Sequence, residues 1–402
     1  MALRFPALFA VLPLMAAEAV IPSNGPKPVG PYTPGVLTKD FLYVSGQGAR
    51  RPDGADAGSV EARYAQCFEN VKAIIEAGKL TMEHVVYMQV YLEDVSTYPV
   101  MDAMWKKYFP KNPPARASLG VARMPTGTPI EISAVAIRDL SRKKAVIPQG
   151  YPATMAIAPA IIAGDRVFLS GFLGRDVKTG NIPADPAAQV QLALDRMKET
   201  LKAAGLDFRH MVFVNPYLSP QLPMNVMNNV YAKHFEFGNT PARATIQVAS
   251  LPYGANIEFT GVAVRNLKDR RAVRPKNMPP SPTASPCVQV TDTLYCSAKS
   301  GFIPGPNAGI YAETVETQVR QTMRNLLDGL EEAGMDFTHV VATNVYLDQL
   351  DEFAKMNGIY AQYFTGIKPT RTTVQPTASV SRKANDKGQW PKLEEISLVA
   401  VK

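Results

Sequence analysis

An arginine recurs three times in almost the same sequence context. Arg116 lies in PARASLG, Arg243 in PARATIQ and Arg371 in PTRTTVQ, so each follows a proline by two residues. A guanidinium group is a planar fork that can bind a carboxylate through two parallel hydrogen bonds. One interpretation of the repeated arginine is therefore a site for a small molecule that carries a carboxylate.

A glutamate follows two of these arginines at the same distance. The separation between Arg116 and Glu131 equals that between Arg243 and Glu258. We expect each pair to lie on two adjacent antiparallel strands, at the same end of a sheet. A glutamate whose pKa is raised by burial could then serve as an acid or a base. A structural ion pair between neighbouring strands would explain the same spacing without any reaction.

The distance between the repeats indicates tandem domains. Arg116, Arg243 and Arg371 are almost evenly spaced, each nearly a third of the chain after the one before it. This period is longer than the roughly 20–50 residues of a solenoid repeat. The 402 residues, 46% hydrophobic and 19% charged, accommodate three globular units of ordinary composition. We predict a signal peptide over residues 1–20 and domains over residues 21–140, 145–268 and 277–402.

Hydrophobic periodicity predicts the same order of elements in every unit: strand, strand, helix, strand, helix, strand, strand. The loops Lys39-Asp40, Gly164-Asp165 and Thr291-Asp292 separate β-rich segments by two residues, which is typical of tight hairpins. The fold class is thus α+β, with a mixed or antiparallel sheet and two helices on one face. Three units packed around a shared pseudo-threefold axis would cover the other face.

Four segments of the first unit resemble a known family: VGPYTPGV (29–36), LYVSGQ (42–47), PPARAS (113–118) and IEISAVAI (130–137). The chain resembles the Rid family of reactive intermediate imine deaminases, also called the YjgF family. The resemblance covers nearly everything after residue 22, three times over. It implies a chorismate-mutase-like fold and homotrimers with sites in the clefts between subunits. Here the three subunits would be fused into one monomeric pseudo-trimer.

The family resemblance also implies a reaction and the residues that perform it. The reaction is hydrolysis of a small 2-imino acid, or its enamine tautomer, to a 2-keto acid and ammonia, with no cofactor and no metal. The expected catalytic residues are Arg116 and Arg243, which would hold the substrate carboxylate, and Glu131 and Glu258, which would orient water. The expected substrate-binding residues are Tyr32, Ser45, Gly46, Ser170, Gly171, Asn228, Asn357, Arg371 and Glu395.

Two other functions stay open at this point. A non-catalytic module that binds a small carboxylate would need the arginines but no turnover. An RNA-cleaving or chaperone-like protein is a weaker alternative, because the sequence shows no basic surface interleaved with aromatic residues and no RNA-binding motif. We therefore expect a small carboxylate-bearing metabolite as the partner, and no nucleic acid.

The three repeats diverge at the positions that the family resemblance marks. Counting back from the serine of each repeat, the position of Tyr32 is occupied by Ile157 and Ala284. The position of Gly46 is occupied by Ala298 in the third repeat. A longer segment, residues 383–392, separates Arg371 from the motif EEISLVAV, in which Glu395 matches Glu131 better than Glu394 does. This insertion could cap or block a cleft.

A family asparagine on the second helix is Asn228 and Asn357 in the later repeats, but Asp102 in the first. A carboxylate at this position would repel a carboxylate substrate. If each cleft combines residues of two repeats, a repeat that keeps the family residues could face a repeat that has lost some of them. When each repeat is considered by itself, Arg116 is the first candidate for the arginine that binds the substrate and Arg243 is the second. Arg371 could be a relic.

The first residues and the cysteines give indications of the cellular compartment of the protein. Arg4 precedes an apolar stretch, and Ala17-Glu18-Ala19 fits a small-x-small cleavage site, so we expect export to the periplasm or beyond, with a cytoplasmic protein as the alternative. The stretch is too short to span a membrane. Cys287 and Cys296 would lie opposite each other across a hairpin that turns at Thr291-Asp292, so a disulfide is possible in an oxidising compartment.

The charge and the histidines have ordinary structural interpretations. The net charge of +8 is concentrated in the segments RDLSRKKAV and RNLKDRRAVRPKN, which we interpret as solvated linkers between domains. His84, His210 and His339 recur once per unit, each just before the third strand. A metal site needs further ligands at useful spacing, and none is apparent, so we expect a structural role for these histidines.

Overall fold

The computed structural model describes residues 17–152, 156–276, 278–305 and 309–402. Within these ranges the chain forms three sheets in succession, each accompanied by two α-helices. The predicted α+β fold with three tandem units is confirmed. Residues 1–16 of the predicted signal peptide lie outside the described residues. The proposed cleavage site overlaps a short strand, Glu18–Val20, that pairs with Gly35–Leu37.

The units repeat one order of elements. Unit 1 consists of β1 (Glu18–Val20), β2 (Gly35–Leu37), β3 (Phe41–Gln47), α1 (Val60–Ala77), β4 (Val85–Leu92), α2 (Tyr98–Tyr108), β5 (Ala115–Gly120) and β6 (Ile130–Ile137). Unit 2 consists of β7 (Lys143–Val146), β8 (Ala160–Ala163), β9 (Arg166–Leu173), α3 (Pro186–Ala203), β10 (Met211–Leu218), α4 (Met224–Tyr231), β11 (Ala242–Arg243), β12 (Ile246–Gln247) and β13 (Ile257–Val264). Unit 3 consists of β14 (Arg270–Val273), β15 (Cys287–Val290), β16 (Thr293–Lys299), α5 (Val315–Glu332), β17 (Val340–Leu347), α6 (Phe353–Tyr360), β18 (Thr370–Val374) and β19 (Glu394–Val401).

The strand order separates the arginine from the glutamate of its own unit. The first sheet has the order β1-β2-β3-β6-β4-β5, and the other two repeat it. Strand β5 returns through α2 and pairs in parallel with β4, whereas β6 inserts between β3 and β4. The expectation that Arg116 and Glu131 occupy adjacent antiparallel strands is therefore wrong, because β4 lies between their strands.

The helices cover one face of each sheet with apolar side chains. In unit 1, Phe68 and Ile75 of α1 and Trp105 of α2 are fully buried in a cluster with Val90 and Ile132 of the sheet. Units 2 and 3 build equivalent cores from their own helices. Burial of one large apolar side chain stabilises a fold by roughly 1.5–3 kcal/mol. Each unit thus has a hydrophobic core of its own.

The other face of the sheets is covered by the neighbouring units, as predicted. One buried cluster takes a tyrosine from each unit, Tyr91, Tyr217 and Tyr346, and surrounds them with aliphatic residues of all three. A second cluster joins Phe41 of unit 1, Phe168 of unit 2 and residues of unit 3. The three units therefore share apolar cores around a common pseudo-threefold axis.

A serine hydroxyl joins each pair of units by bridging two backbones. The backbone N–H groups of the three arginines donate to serines of the following unit: Arg116 to Ser170 Oγ at 2.9 Å, Arg243 to Ser297 Oγ at 2.8 Å and Arg371 to Ser45 Oγ at 3.0 Å. Each serine hydroxyl donates in turn to a carbonyl of its own unit at 2.6 Å: those of Ala158, Ser285 and Thr33. The third bridge connects the last unit to the first and so closes a ring.

Two segments that the sequence presented as linkers are edge strands. Lys143–Val146 pairs antiparallel with β8, and Arg270–Val273 pairs antiparallel with β15. The basic segments therefore belong to the sheets of units 2 and 3, because their backbones extend those sheets by one strand. The hairpin at Thr291-Asp292 places Cys287 opposite Cys296, and the two form the disulfide that the sequence allowed.

Replacing Ser297 with alanine tests the hydroxyl bridge. The variant Ser297→Ala leaves the buried N–H of Arg243 and the carbonyl of Ser285 without their partner. We expect the free energy of unfolding to fall by about 1–3 kcal/mol, the usual cost of an unpaired buried polar group. Urea unfolding followed by circular dichroism measures the change. The exposed serine variant Ser381→Ala is the control, and an equal effect of both variants would refute the structural role of the bridge.

Candidate active sites between the units

Each cleft of the ring combines an arginine of one unit with a serine of the next, and in two of the described clefts a buried glutamate of that next unit joins them. Cleft 3/1 contains Arg371 of unit 3 with Ser45 and Glu131 of unit 1. Cleft 1/2 contains Arg116 of unit 1 with Ser170 and Glu258 of unit 2. Cleft 2/3 contains Arg243 of unit 2 with Ser297 of unit 3.

In cleft 3/1 the guanidinium group of Arg371 lies among aromatic rings. Its central carbon is 5.3 Å from the ring centroids of Tyr32 and Phe353 and 5.0 Å from that of Tyr360. The backbone of Gly30 lies so close that an added Cβ would stand 2.5 Å from Nη2 of the arginine. The glycine of the motif VGPY therefore permits the loop of unit 1 to pack against the arginine of unit 3.

The two terminal nitrogens of the Arg371 guanidinium group have no hydrogen-bond partner among the described residues, and Arg371 is 3% exposed. The buried Oδ1 of Asn357 is also without a partner among these residues. A buried cation with unpaired donors is costly unless an anion reaches it. The contacts of this arginine therefore favour a binding role.

Glu131 lines the same cleft as Arg371. Burial raises the pKa of Glu131 to about 8, although the backbone N–H of Thr373 and the charge of Arg371 act in the opposite direction. The carboxylate lies against Gly46, where an added Cβ would stand 2.0 Å from Oε1. The glycine leaves the space that the carboxylate occupies. The cavity that contains these groups has a volume of about 50 Å³.

In cleft 1/2 the arginine is already neutralised by its own unit. Arg116 Nη2 donates to Asp102 Oδ1 at 3.0 Å and to the hydroxyl of Tyr98 at 2.6 Å. Burial acts to raise the pKa of Asp102, yet the charge of Arg116 holds it below its usual value. The carboxylate that was expected to repel a substrate thus occupies the arginine instead. Ile157 lines this cleft without the hydroxyl of Tyr32.

The glutamate of cleft 1/2 resembles that of cleft 3/1. Glu258 is 2% exposed, and burial raises its pKa to about 8 against the opposing effects of the Ser118 N–H and of Arg116. An added Cβ on Gly171 would stand 2.1 Å from its Oε1. The buried glutamate and the glycine beside it are thus the same in clefts 3/1 and 1/2. The two clefts differ in the partners of the arginine and in the residue at the position of Tyr32.

In cleft 2/3 the charge of Glu395 still acts to raise the pKa of Arg243 against the larger effect of burial, but the surroundings of this glutamate have changed. Arg243 Nη1 donates to Asn228 Oδ1 at 2.8 Å. Ala298 replaces the glycine, so its Cβ fills the space that the glutamate occupies in the other clefts. Glu395 instead forms an ion pair with Lys392, the last residue of the insertion, with 2.8 Å between Nζ and Oε1. The insertion thus neutralises the glutamate of unit 3.

The strand register identifies which glutamate of unit 3 is equivalent. Glu395 lies opposite Tyr346, as Glu131 lies opposite Tyr91 and Glu258 lies opposite Tyr217. Its neighbour Glu394 is directed into the core of unit 3, where it accepts a hydrogen bond from the hydroxyl of Thr322, and burial raises its pKa to about 8. The sequence match of Glu395 to Glu131 is therefore confirmed by the register.

The comparison with protein families agrees with the threefold repeat. The family model described as Endoribonuclease L-PSP matches residues 22–138, 151–265 and 276–384. The chain belongs to this family, also called Rid or YjgF. The predicted resemblance is confirmed, and each match corresponds to one unit of the ring.

Relatives of the Rid family match single units. A RutC family protein of Pyrococcus horikoshii is 33% identical over 30% of this chain and 98% of its own length. Proteins named 2-iminobutanoate/2-iminopropanoate deaminase are 34% identical in Rattus norvegicus, over 31% of this chain and 90% of that protein, and 35% identical in Salmonella typhimurium, over 30% and 98%. The solved structure of the YjgF gene product from E. coli is 32% identical over 30% and 99%, with a TM-score of 0.30.

Four of the residues that line cleft 3/1 were predicted from the sequence, and the other lining residues, two basic ones among them, were not. The structure brings Tyr32, Gly46, Glu131 and Arg371 together in cleft 3/1. Lys27 and Arg50 line the same cleft and were not anticipated. Arg50 and Arg175 follow the serine of their repeats by five residues, so a comparison of the repeats could have marked them.

The repeated histidines have the structural role that was expected. The Nδ1 atoms of His84, His210 and His339 accept the backbone N–H of Thr81, Asp207 and Asp336, at 3.1, 3.2 and 3.2 Å. Each histidine thereby closes a short turn before the strand that follows it, which is β4, β10 or β17. Across the described ranges, no group of three or more potential ligands is placed to hold a metal, and no helix is long and apolar enough to cross a membrane.

Replacing Glu258 with glutamine tests the burial of the acidic groups. Because the folded pKa exceeds the unfolded value, the native state keeps a proton that the unfolded state releases between about pH 4.5 and 8. The free energy of unfolding therefore falls as the pH rises through this range, by at most about 1.4 kcal/mol per pH unit for one group. We expect Glu258→Gln to reduce the slope, measured by urea unfolding between pH 5 and 8. The exposed control Glu93→Gln should keep the wild-type slope, and an unchanged slope in Glu258→Gln would contradict the shifted pKa.

Proposed function

We propose that the protein hydrolyses small 2-imino acids, or their enamine tautomers, to 2-keto acids and ammonia in cleft 3/1. The observation that carries the proposal is the buried guanidinium group of Arg371, whose Nη atoms have no hydrogen-bond partner among the described residues and which shares a cavity with Glu131. This reaction needs an arginine that binds the carboxylate of the substrate and an acid whose pKa is raised toward neutrality.

Binding begins with the carboxylate of the substrate. Arg371 offers its unpaired N–H donors to this group, and Tyr32 lies beside the guanidinium. Charge-assisted hydrogen bonds inside a cleft are stronger than those in water, because the local dielectric constant is low. The bound carboxylate would place the adjacent C=N bond on the side of the cleft that holds Glu131.

Glu131 supplies and recovers the proton. With a pKa of about 8, it is largely protonated at neutral pH and can donate its proton to the imine nitrogen. Water then adds to the carbon of the resulting iminium ion and gives a carbinolamine, and Glu131 as carboxylate accepts the proton that the added water releases. Glu131 then returns this proton to the amino group and takes up the hydroxyl proton of the carbinolamine as the C–N bond breaks, which releases ammonia and leaves the 2-keto acid.

The relatives support this reaction class. Several of them are named 2-iminobutanoate/2-iminopropanoate deaminase, at 34% and 35% identity to one unit of this chain. The family model bears the name of an endoribonuclease, which is the competing activity. The buried position and small volume of cleft 3/1 favour a small metabolite over a nucleic acid.

The other two clefts are assigned lesser roles in this proposal. Arg116 is paired with Asp102, so a substrate carboxylate would have to compete with an internal one. Cleft 2/3 lacks a buried glutamate beside its arginine, since Glu395 is paired with Lys392. The repeats considered one by one placed Arg116 first and Arg371 last among the candidate arginines. The proposal places Arg371 first.

Substitutions of the three arginines test the assignment. Loss of about 3 kcal/mol of charge-assisted hydrogen bonding corresponds to roughly a 100-fold fall in kcat/KM. We expect this loss in Arg371→Ala, with partial recovery in Arg371→Lys, which keeps the charge but not the planar fork. The measurement is keto-acid release, above the spontaneous rate, from imines generated in situ by an amino-acid oxidase.

The matched controls are Arg116→Ala and Arg243→Ala, which should keep most of the activity. If Arg116→Ala abolishes hydrolysis and Arg371→Ala does not, the reaction occurs in cleft 1/2 and the proposal is wrong. Binding of a 2-keto acid to Arg371 without hydrolysis of any imine would identify the non-catalytic binding module instead.

A further inference from the structure

Cleft 3/1 contains more positive charge than one carboxylate can neutralise. Lys27, Arg50 and Arg371 line it, and Glu131 is its one acidic residue among those that the structure describes. Since Glu131 is largely protonated at neutral pH, the side chains of the cleft carry a net charge near +3. A ligand with a single carboxylate would leave most of this charge uncompensated, whereas like charges in a confined cleft repel each other.

The three basic residues are arranged from the interior of the cleft toward the solvent. Arg371 is buried, Arg50 is half-buried and Lys27 is exposed. Both arginines and Tyr32 line one cavity: the ring of Tyr32 is 5.3 Å from the guanidinium carbon of Arg371, and both arginines act to lower the pKa of its phenol against the larger effect of burial. The inner and outer cations are thus close enough for one small molecule to reach both.

Arg50 is held in place but has no acidic partner. Asn70 Nδ2 donates to the carbonyls of Gly48 and Arg50, at 2.9 and 2.8 Å, and fixes the loop after β3. The guanidinium group of Arg50 donates to the carbonyl of Lys27. In residues 17–152, 156–276, 278–305 and 309–402, no carboxylate forms an ion pair with Arg50 or Lys27. A fixed, uncompensated guanidinium group is suited to bind an anionic group of a ligand.

The space next to Arg50 can hold a substrate side chain. The cavity around Arg371 continues past Arg50, Thr126 and Thr128, and these three residues also line a hollow of about 260 Å³. Asp56 lines this hollow as well, but its carboxylate is paired with Arg63. A substrate whose carboxylate is bound by Arg371 can therefore extend its side chain along Arg50 into this hollow.

The equivalent arginine of cleft 1/2 is occupied by a ring. Arg175 stands five residues after Ser170, as Arg50 stands five residues after Ser45, but its guanidinium carbon lies 4.6 Å from the ring centroid of Tyr253. In cleft 3/1 the position of this tyrosine is taken by Thr126, which has no ring. Arg50 is thus exposed to the cleft where Arg175 is covered.

From these contacts we propose that cleft 3/1 selects 2-imino acids with a second carboxylate at the end of the side chain, which Arg50, assisted by Lys27, binds. The inference deepens the proposed deamination and rests on it for the reaction, but the recognition of the second carboxylate is tested separately. The substrate class is a 2-imino dicarboxylic acid of four or five carbons, and the product is the corresponding 2-keto dicarboxylic acid.

Two keto acids of equal length isolate the contribution of the second carboxylate. 2-Oxoglutarate and 2-oxopentanoate both have five carbons and differ in whether a carboxylate or a methyl group ends the chain. We expect calorimetry to give a Kd for 2-oxoglutarate about tenfold lower than that for 2-oxopentanoate, which is a moderate gain for a partly exposed ion pair. Arg50→Ala should abolish the difference, and the exposed neighbour variant Arg51→Ala should keep it.

Hydrolysis is measured in parallel on the imines that an oxidase generates from glutamate and from norvaline. Equal affinity for the two keto acids, no binding of either, or a preference that survives Arg50→Ala would overturn the assignment of Arg50. A tenfold preference in binding without hydrolysis of either imine would refute the deaminase proposal and leave the assignment of Arg50 standing. A tenfold preference in both binding and kcat/KM, lost only in Arg50→Ala, supports the two together.

Discussion

The ring depends on one hydroxyl in each unit that is shared between two backbones. Because the donor to that hydroxyl is the N–H of an arginine, the bridge that joins the units also places the guanidinium group in the cleft. The residue after each serine is the glycine or alanine that decides whether a glutamate can be buried there. The assembly of the units and the composition of the clefts are therefore consequences of the same contact.

Fusion of the units allows the three clefts to differ, which identical subunits cannot do. Asp102 neutralises the arginine of cleft 1/2, and Ala298 with Lys392 removes the glutamate of cleft 2/3 from its buried position. None of these changes disturbs the serine bridge, so the ring keeps its structure while the chemistry of two clefts is altered. Cleft 3/1 keeps the tyrosine, the glycine and the glutamate of unit 1 against the unpaired arginine of unit 3.

Much of the fold could be predicted from the sequence because it follows from local pattern and period. The hairpin at Thr291-Asp292, the disulfide across it and the threefold repeat are of this kind. Which glutamate shares a cleft with each arginine could not be predicted in the same way. The strand order is set by contacts between residues distant in sequence, and β6 inserts between β3 and β4. Ranking the arginines within their own repeats could not take into account that the cleft of Arg371 is completed by the first unit.

The central claim is that cleft 3/1 is the one in which a carboxylate substrate docks. A crystal structure of the protein soaked with 2-oxobutanoate at limiting concentration tests it most directly. We expect one ligand molecule per chain, with its carboxylate within hydrogen-bond distance of Arg371 and its keto group toward Glu131. Density at Arg116 or Arg243 with an empty cleft 3/1, or equal occupancy of all three clefts, would contradict it.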